Sequence, residues 1–192
     1  RLPRPRQHPL AARQPRPREG AETMAVADLF LPPHPQLRAR LWRGFALMMG
    51  MALLWLVPVN LGLLGSPWPL ALVWAAAGWA RSGPRLVPAL LIALAGLWLD
   101  LITGGPLFAW AFTGLTAYGL TLIQQRVFGK LPHGVLQGLA SGGFAFAGGA
   151  FLALLRGDVS ALPGLILPCL LAGVLFGTLE TLYSLDEERD TR

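Results

Sequence analysis

The sequence predicts an all-α, polytopic membrane protein with six short-looped transmembrane helices and with both termini in the cytoplasm. The composition is 54% hydrophobic and 14% charged, whereas soluble domains carry about 25% charged residues. Six apolar stretches follow one another, separated by short breaks of glycine, proline and basic residues. A chain of 192 residues leaves little room for a separate soluble domain when each crossing takes about 20 residues.

The segment before the first apolar stretch, residues 1–41, is basic and proline-rich. Because it offers little apolar surface to bury, we predict a disordered cytoplasmic tail. Met24 would suit as the start codon of translation, so residues 1–23 are interpreted as an upstream extension of the reading frame. Residues 1–23 carry no aromatic side chains, and we therefore expect this tail to contact membrane lipid and no nucleic acid.

The six-helix membrane domain is predicted over residues 42–183. Its helices are expected at about 42–64, 68–80, 86–102, 106–123, 134–155 and 159–183, with a charged cytoplasmic tail at 184–192. The breaks between them are tight turns, which make consecutive helices antiparallel neighbours.

The second stretch is short for a membrane core and alone would suit a re-entrant or interfacial segment. The distribution of charge favours a crossing, because six crossings leave Arg156 as the outer basic residue and satisfy the positive-inside rule. The inner basic residues would be the N-terminal arginines with Arg81, Arg85, Arg126, Lys130, Arg189 and Arg192. Interfacial aromatic residues are then expected at Trp42, Trp68, Trp79, Trp98, Trp110 and Tyr183.

Asp100 is an acidic residue inside the third apolar stretch. Gly96, Ala93 and Ala89 precede it at helical spacing, and this small face predicts that Asp100 points into the bundle. A carboxylate near a helix C-terminus opposes the helix dipole, so it needs compensation. We expect main-chain amides at the start of the fourth helix, with Pro106 in its first position, to donate to it. The alternative is a protonated Asp100, since removal from water favours the neutral acid.

Small residues also line the fifth and sixth helices. The fifth presents Gly134, Gly138, Gly142, Ala145 and Gly149 on one face, and the sixth presents Gly173, Gly177 and Glu180. Such faces permit close helix packing, either with each other or with the helix of a partner. Glu180 lies near the cytoplasmic end and is expected to reach water or a basic loop.

No catalytic residue, metal site or cofactor is expected from the sequence, which has no phosphate-binding loop and no zinc-ligand spacing. Asp100 and Asp158 invite comparison with intramembrane aspartic peptidases, in which two carboxylates share one site. Asp158, however, stands beside Arg156 in an outer turn, and peptidase motifs are missing around both aspartates.

Two segments, "SPWPLALVWAAAGWARSGPR" (66–85) and "AGLWLDLITGGPLFAWAFTGLTAY" (95–118), resemble the rod shape-determining MreD family. Asp100, Leu101, Gly104 and Leu107 match its D-L-x-x-G-x-x-L-G pattern, and Ala117 with Tyr118 match the end of its next helix. Phe108 stands where the family usually has glycine. Residues 125–192 match in hydropathy alone.

The resemblance implies a non-enzymatic scaffold of the bacterial inner membrane that maintains rod shape during cell elongation. It implies binding to MreC, and through it an indirect link from MreB filaments to RodA and a penicillin-binding transpeptidase. The alternative is the substrate-binding component of an energy-coupling factor vitamin transporter. That function needs an outward cavity, for which Asn60, Trp98, Asp100 and Trp110 are the available side chains.

Overall fold

The protein is described by a computed structural model that covers residues 35–57, 59, 61–62, 66–82, 85–104, 106–129, 131 and 134–185. These residues form helices and turns and contain no β-strand, so the all-α prediction is confirmed. The α-helices are α1 Pro35–Leu54, α2 Ala71–Trp79, α3 Leu86–Thr103, α4 Ala109–Phe128, α5 Gly134–Arg156 and α6 Leu162–Tyr183. Short 3₁₀ helices, Ala80–Ser82 and Val159–Ala161, follow α2 and precede α6.

Three of these helices are long and apolar enough to cross a membrane. They are α3, α5 and α6, with mean hydropathies of 2.1, 1.7 and 2.1 over their most apolar windows. At its 9 residues, α2 rises about 13 Å, less than half the roughly 30 Å of a bilayer core. Because α3, α5 and α6 are long and apolar enough to span a bilayer, the described part of the chain is compatible with a membrane protein.

The chain reverses direction from one helix to the next. The Leu70 amide donates to the Pro168 carbonyl at 3.1 Å, and Trp74 Nε1 donates to the Ala172 carbonyl at 2.8 Å. Because both partners advance by four residues, α2 runs parallel to α6. A Cβ on Gly142 would meet the Cys169 carbonyl, whereas lower-numbered Gly138 would meet higher-numbered Gly173, so α5 runs antiparallel to α6.

Two ends of the bundle follow from these directions. The "basic end" holds the first half of α1, the α2–α3 and α4–α5 turns, and the end of α6, where Tyr183 Oη donates to the Gly44 carbonyl at 2.9 Å. The "Asp100 end" holds the end of α1, the α3–α4 turn and Arg156, with Trp55 and Trp110 rings 5.2 Å apart. The described arginines of the basic end are Arg38, Arg40, Arg43, Arg81, Arg85 and Arg126. The sequence predicted that basic residues in alternate connections would lie on one side, and these six arginines do lie at one end of the bundle.

The second helix lies in the centre of the bundle, where every residue from Ala71 to Trp79 is buried. The prediction of Trp79 at a membrane interface is therefore wrong. Trp79 and Tyr183 are both fully buried, with ring centroids 6.2 Å apart, so the same correction applies to Tyr183. The physical reason is that the longer helices around α2 cover it on all sides, and interfacial aromatic side chains need an uncovered helix face.

The first helix begins earlier and ends earlier than predicted. It covers Pro35–Leu54 instead of 42–64, and its buried Leu37 and Leu41 correct the prediction of a disordered segment up to residue 41. These leucines extend a buried stripe through Gly44 and Met48, so packing outweighs the charge of the intervening arginines. The rest of the predicted tail, residues 1–34, lies outside the described residues.

Other boundaries shift by a few residues. The fourth helix begins at Ala109, so Pro106 precedes the helix by three residues and does not occupy its first position as predicted. Ser184 and Leu185, predicted as the start of a charged tail, are buried, and the Leu185 amide donates to the Gly78 carbonyl at 3.5 Å. Residues 186–192 lie outside the described residues.

Candidate functional site

The third and fourth helices approach so closely that their backbones are in contact. A Cβ on Gly96 would overlap the main-chain atoms of Ala111 in α4, so no residue with a side chain fits there without moving a helix. Asp100 lies one turn further along α3 and is 1% exposed. The glycine therefore brings the carboxylate against the first turn of α4.

Asp100 caps α4 from the neighbouring helix. Its Oδ1 accepts a hydrogen bond from the main-chain N–H of Trp110 at 2.9 Å, the second residue of α4. That N–H is one of the groups an N-cap side chain normally satisfies, and the side chain of Phe108, the residue before α4, has no oxygen with which to do so. The predicted compensation of Asp100 by a main-chain amide is confirmed, although Oδ2 is buried without a hydrogen-bond partner among the described residues.

Among the described residues of the turn between α3 and α4, Gly104 and Phe108 lie in the left-handed region. Gly104 ends α3 with φ 63°, where a glycine is favoured. Phe108 has φ 70°, which costs a residue with a side chain about 1–2 kcal/mol. Trp110 Nε1 donates to Thr103 Oγ1 at 3.3 Å, closing the turn. We call Asp100, Thr103, Gly104, Phe108 and Trp110 the "α3–α4 joint".

Large apolar side chains surround the joint on its outside. Leu101, Leu107 and Phe108 are 66%, 60% and 63% exposed. Asp100 and Gly104 hold the backbone of the turn, whereas Leu101 and Leu107 are presented outward. The joint therefore combines a hydrogen-bonded turn with an uncovered apolar face.

The two aspartates that a peptidase would pair are engaged separately. Asp100 binds the start of α4, while Asp158 Oδ1 accepts hydrogen bonds from the Ser160 amide at 3.2 Å and the Ser160 hydroxyl at 2.5 Å. Asp158 is exposed and Asp100 is buried. Each carboxylate thus serves the start of a helix, and the geometry does not favour the peptidase alternative.

An ion pair at the basic end joins the α2–α3 connection to α6 and lies against the start of α5. Arg81 Nη1 donates to Glu180 Oε1 at 2.6 Å, and the two side chains are 5% and 15% exposed. The other carboxylate oxygen of Glu180 lies where a Cβ on Gly134 would be, at the start of α5. The expected contact between Glu180 and a basic loop is present, because Arg81 belongs to the α2–α3 connection.

Tyr118 makes a second connection at the basic end. Its hydroxyl accepts from the Arg85 amide at 3.3 Å and donates to the Arg85 carbonyl at 3.4 Å. Arg85 is the residue before α3, so Tyr118 of α4 holds the start of α3 as Asp100 of α3 holds the start of α4. Both ends of α3 are therefore held by α4, the first by Tyr118 in the middle of α4 and the last by the start of α4.

The glycine faces of α5 and α6 pack against each other within this chain. A Cβ on Gly138 would overlap the Gly173 carbonyl, and one on Gly142 would approach the Cys169 carbonyl at 2.7 Å. The sequence left open whether Gly138 and Gly142 pack against another helix of this chain or against a helix of a partner. The structure shows that they pack against α6. A partner helix therefore has no access to this face.

A buried polar contact joins α4 and α5; Thr121 was expected to bond within or between helices, but its partner on α5 was not predicted. Thr121 and Ser141 hydroxyls lie 2.9 Å apart and are fully buried, and Gln137 Nε2 donates to Gln124 Oε1 at 3.4 Å. Gln137 and Ser141 are four residues apart on the same helix, and that spacing is the signal that could have identified this face.

Of the side chains proposed for vitamin binding, the three that the structure describes do not share one cavity. Trp110 lines a cavity at the Asp100 end, but Trp98 is 38% exposed on the outside of α3 and Asp100 is occupied by α4. Asn60 lies outside the described residues. Of the three described side chains, Trp110 is therefore the one that lines the cavity at the Asp100 end.

Comparisons with family models, curated proteins and solved structures found no match to this chain.

Proposed function

We propose that this protein is a non-enzymatic inner-membrane scaffold of the bacterial elongation machinery, as its resemblance to the MreD family implies. The observation that carries the proposal is the α3–α4 joint. The residues that match the family pattern divide into those that hold the turn, Asp100 and Gly104, and those that it displays, Leu101 and Leu107. If the members of a family bind the same partner through this turn, their common residues must both hold its backbone and present side chains to the partner.

The partner in this proposal is MreC, whose membrane segment would contact the exposed apolar face of the joint. The glycine faces of α5 and α6 are already occupied by each other, which leaves large apolar side chains such as Leu101 and Leu107 for a partner helix. Through MreC the scaffold links MreB filaments to RodA and a penicillin-binding transpeptidase. It contributes position and contact, and no chemical step.

We place the basic end in the cytoplasm, with six crossings and both termini on that side. The support is the distribution of charge: six described arginines lie at the basic end, and Arg156 lies at the other, as the positive-inside rule requires. A C-terminal fusion to green fluorescent protein is expected to fluoresce, and a fusion to alkaline phosphatase to be inactive. An active phosphatase fusion would place the C-terminus outside and reverse the assignment.

Asp100→Ala is expected to reduce the amount of MreC that co-purifies with the protein. The substitution removes the cap of α4, worth about 1 kcal/mol, and frees the turn that presents Leu101 and Leu107. Asp100→Asn should retain MreC, because its amide oxygen can still accept from the Trp110 amide. Quantified pull-down from membranes, normalised to the amount of the variant, measures the effect.

The matched control is Asp158→Asn, which removes an exposed carboxylate at the same end. Leu107→Ser tests the displayed face without touching the cap, so a loss of MreC here cannot be attributed to a loosened turn. Full retention of MreC by both Asp100→Ala and Leu107→Ser would refute the proposed contact. A vitamin that co-purifies at one molecule per protein would favour the transporter alternative. Co-purification of a transport ATPase in place of MreC would favour it too.

A further inference from the structure

A cavity of about 430 Å³ opens at the Asp100 end, between the ends of α1, α4, α5 and α6. Its walls are apolar and include Trp55, Trp110, Leu152 and Leu165. Gly149 also lines the cavity and lies two helical turns before Arg156, which places it about 10 Å deep. A volume of this size is typical of sites for small organic ligands.

Two opposite charges stand together at the mouth of the cavity. Arg156 ends α5, and Asp158 follows it across the Gly157 turn; both line the cavity. Over the part of the chain that the structure covers, Arg156 forms no ion pair. Asp158 uses Oδ1 to bind Ser160, which fixes the orientation of its carboxylate. The mouth thus presents one cation and one anion on the same turn.

From this geometry we infer that the cavity binds one zwitterionic aminophospholipid from the adjacent leaflet. The lipid phosphate lies on the Arg156 guanidinium, and its primary ammonium donates to Asp158. One acyl chain enters the cavity between the two tryptophans and the leucines of α5 and α6. The cavity thus holds one lipid at this end of the bundle. This lipid binding does not depend on the proposed binding of MreC.

The charges distinguish this occupant from other amphiphiles. A lipid with a net negative headgroup would satisfy Arg156 with its phosphate but would offer no cation to Asp158, which leaves that carboxylate beside the phosphate without compensation. A choline headgroup carries a cation without N–H donors, so it loses the hydrogen bond to the carboxylate. A non-ionic detergent or a fatty acid has no ammonium group at all. The pair Arg156 and Asp158 therefore favours phosphatidylethanolamine.

The depth of the cavity distinguishes a lipid from a soluble molecule with the same headgroup. Glycerophosphoethanolamine carries both charges but has no chain to place against Leu152 and Leu165. The acyl chain is already out of water in the leaflet, so it contributes packing contacts with the cavity wall and not transfer from water. The soluble headgroup should compete poorly with the intact lipid.

Native mass spectrometry of the full-length protein in detergent tests the site directly. The protein is titrated with phosphatidylethanolamine, phosphatidylglycerol and phosphatidylcholine of identical chains. The wild type should retain one phosphatidylethanolamine in preference to the other two. Arg156→Gln should bind it about tenfold more weakly, the effect of losing roughly one charge-assisted contact. Asp158→Asn should remove the preference over phosphatidylglycerol.

Two further variants make the outcome decisive. Arg126→Gln removes an exposed arginine at the basic end and should leave lipid retention unchanged. Ala153→Phe places a large ring in the cavity wall and should displace the chain while leaving both charges. Equal retention of phosphatidylethanolamine by Arg156→Gln and the wild type, or an equal preference for all three lipids, would overturn the inference. Full displacement by glycerophosphoethanolamine would also overturn it, in favour of a soluble ligand.

Discussion

Gly138→Ala is expected to lower the free energy of unfolding by about 3 kcal/mol, at the upper end of the range for overpacked cores. A Cβ at this position would overlap the main-chain carbonyl of Gly173 and approach Phe176 Cβ at 2.6 Å. Backbone atoms cannot rotate away as the end of a flexible side chain can, so α5 and α6 must separate. Thermal unfolding of the protein in detergent measures the change.

Gly143→Ala is the matched control on the same helix. Gly143 lies five residues after Gly138, is exposed, and has no heavy atom within 4 Å of an added Cβ. Alanine is the better helix former by up to about 1 kcal/mol, so this variant should be as stable as the wild type or more so. Equal destabilisation by the two substitutions would show that the close contact between α5 and α6 is not what makes Gly138 necessary.

Glu180→Gln is expected to lower the free energy of unfolding by about 3 kcal/mol, because removal of one partner of a buried ion pair strands the other charge. Arg81 is 9% exposed and its Nε has no hydrogen-bond partner among the described residues, so the loss of Glu180 leaves it with little compensation. Denaturant titration in detergent, followed by tryptophan fluorescence, measures the difference.

The double variant Arg81→Met with Glu180→Met separates charge from packing. Replacement of both members of a buried pair by apolar residues is often close to neutral, so the double variant should be more stable than Glu180→Gln alone. Arg126→Gln, an exposed arginine of the same end, should change stability by less than about 0.5 kcal/mol. A double variant as unstable as the single one would contradict the electrostatic explanation.

Most helix positions could be predicted from the sequence because apolar stretches and their Gly/Pro breaks are local signals. The boundaries of α1 were not, since the buried leucines at 37 and 41 lie among arginines and their burial depends on the neighbouring helices. The environment of α2 could not be predicted either. Hydropathy identifies an apolar segment, but it does not distinguish one covered by lipid from one covered by protein.

The same division holds for the functional site. The bond between Asp100 and the start of α4 spans ten residues, and it could be predicted because the chain must turn back beside Asp100. The ion pair between Arg81 and Glu180 joins residues 99 apart in the chain, and sequence alone could propose only that Glu180 would find a basic loop. Whether the glycines of α5 faced α6 or a partner was likewise undecided.

The sequence by itself determined the helical class, the order of the helices, the alternation of basic turns and the compensation of Asp100. These depend on composition and on contacts between neighbours in the chain. The tertiary structure alone decided that α2 is enclosed by protein, that Tyr183 and Trp79 pack inside, and that the glycine faces meet. It decided them because each depends on which distant helix fills the space beside a residue, and no local pattern encodes that neighbour.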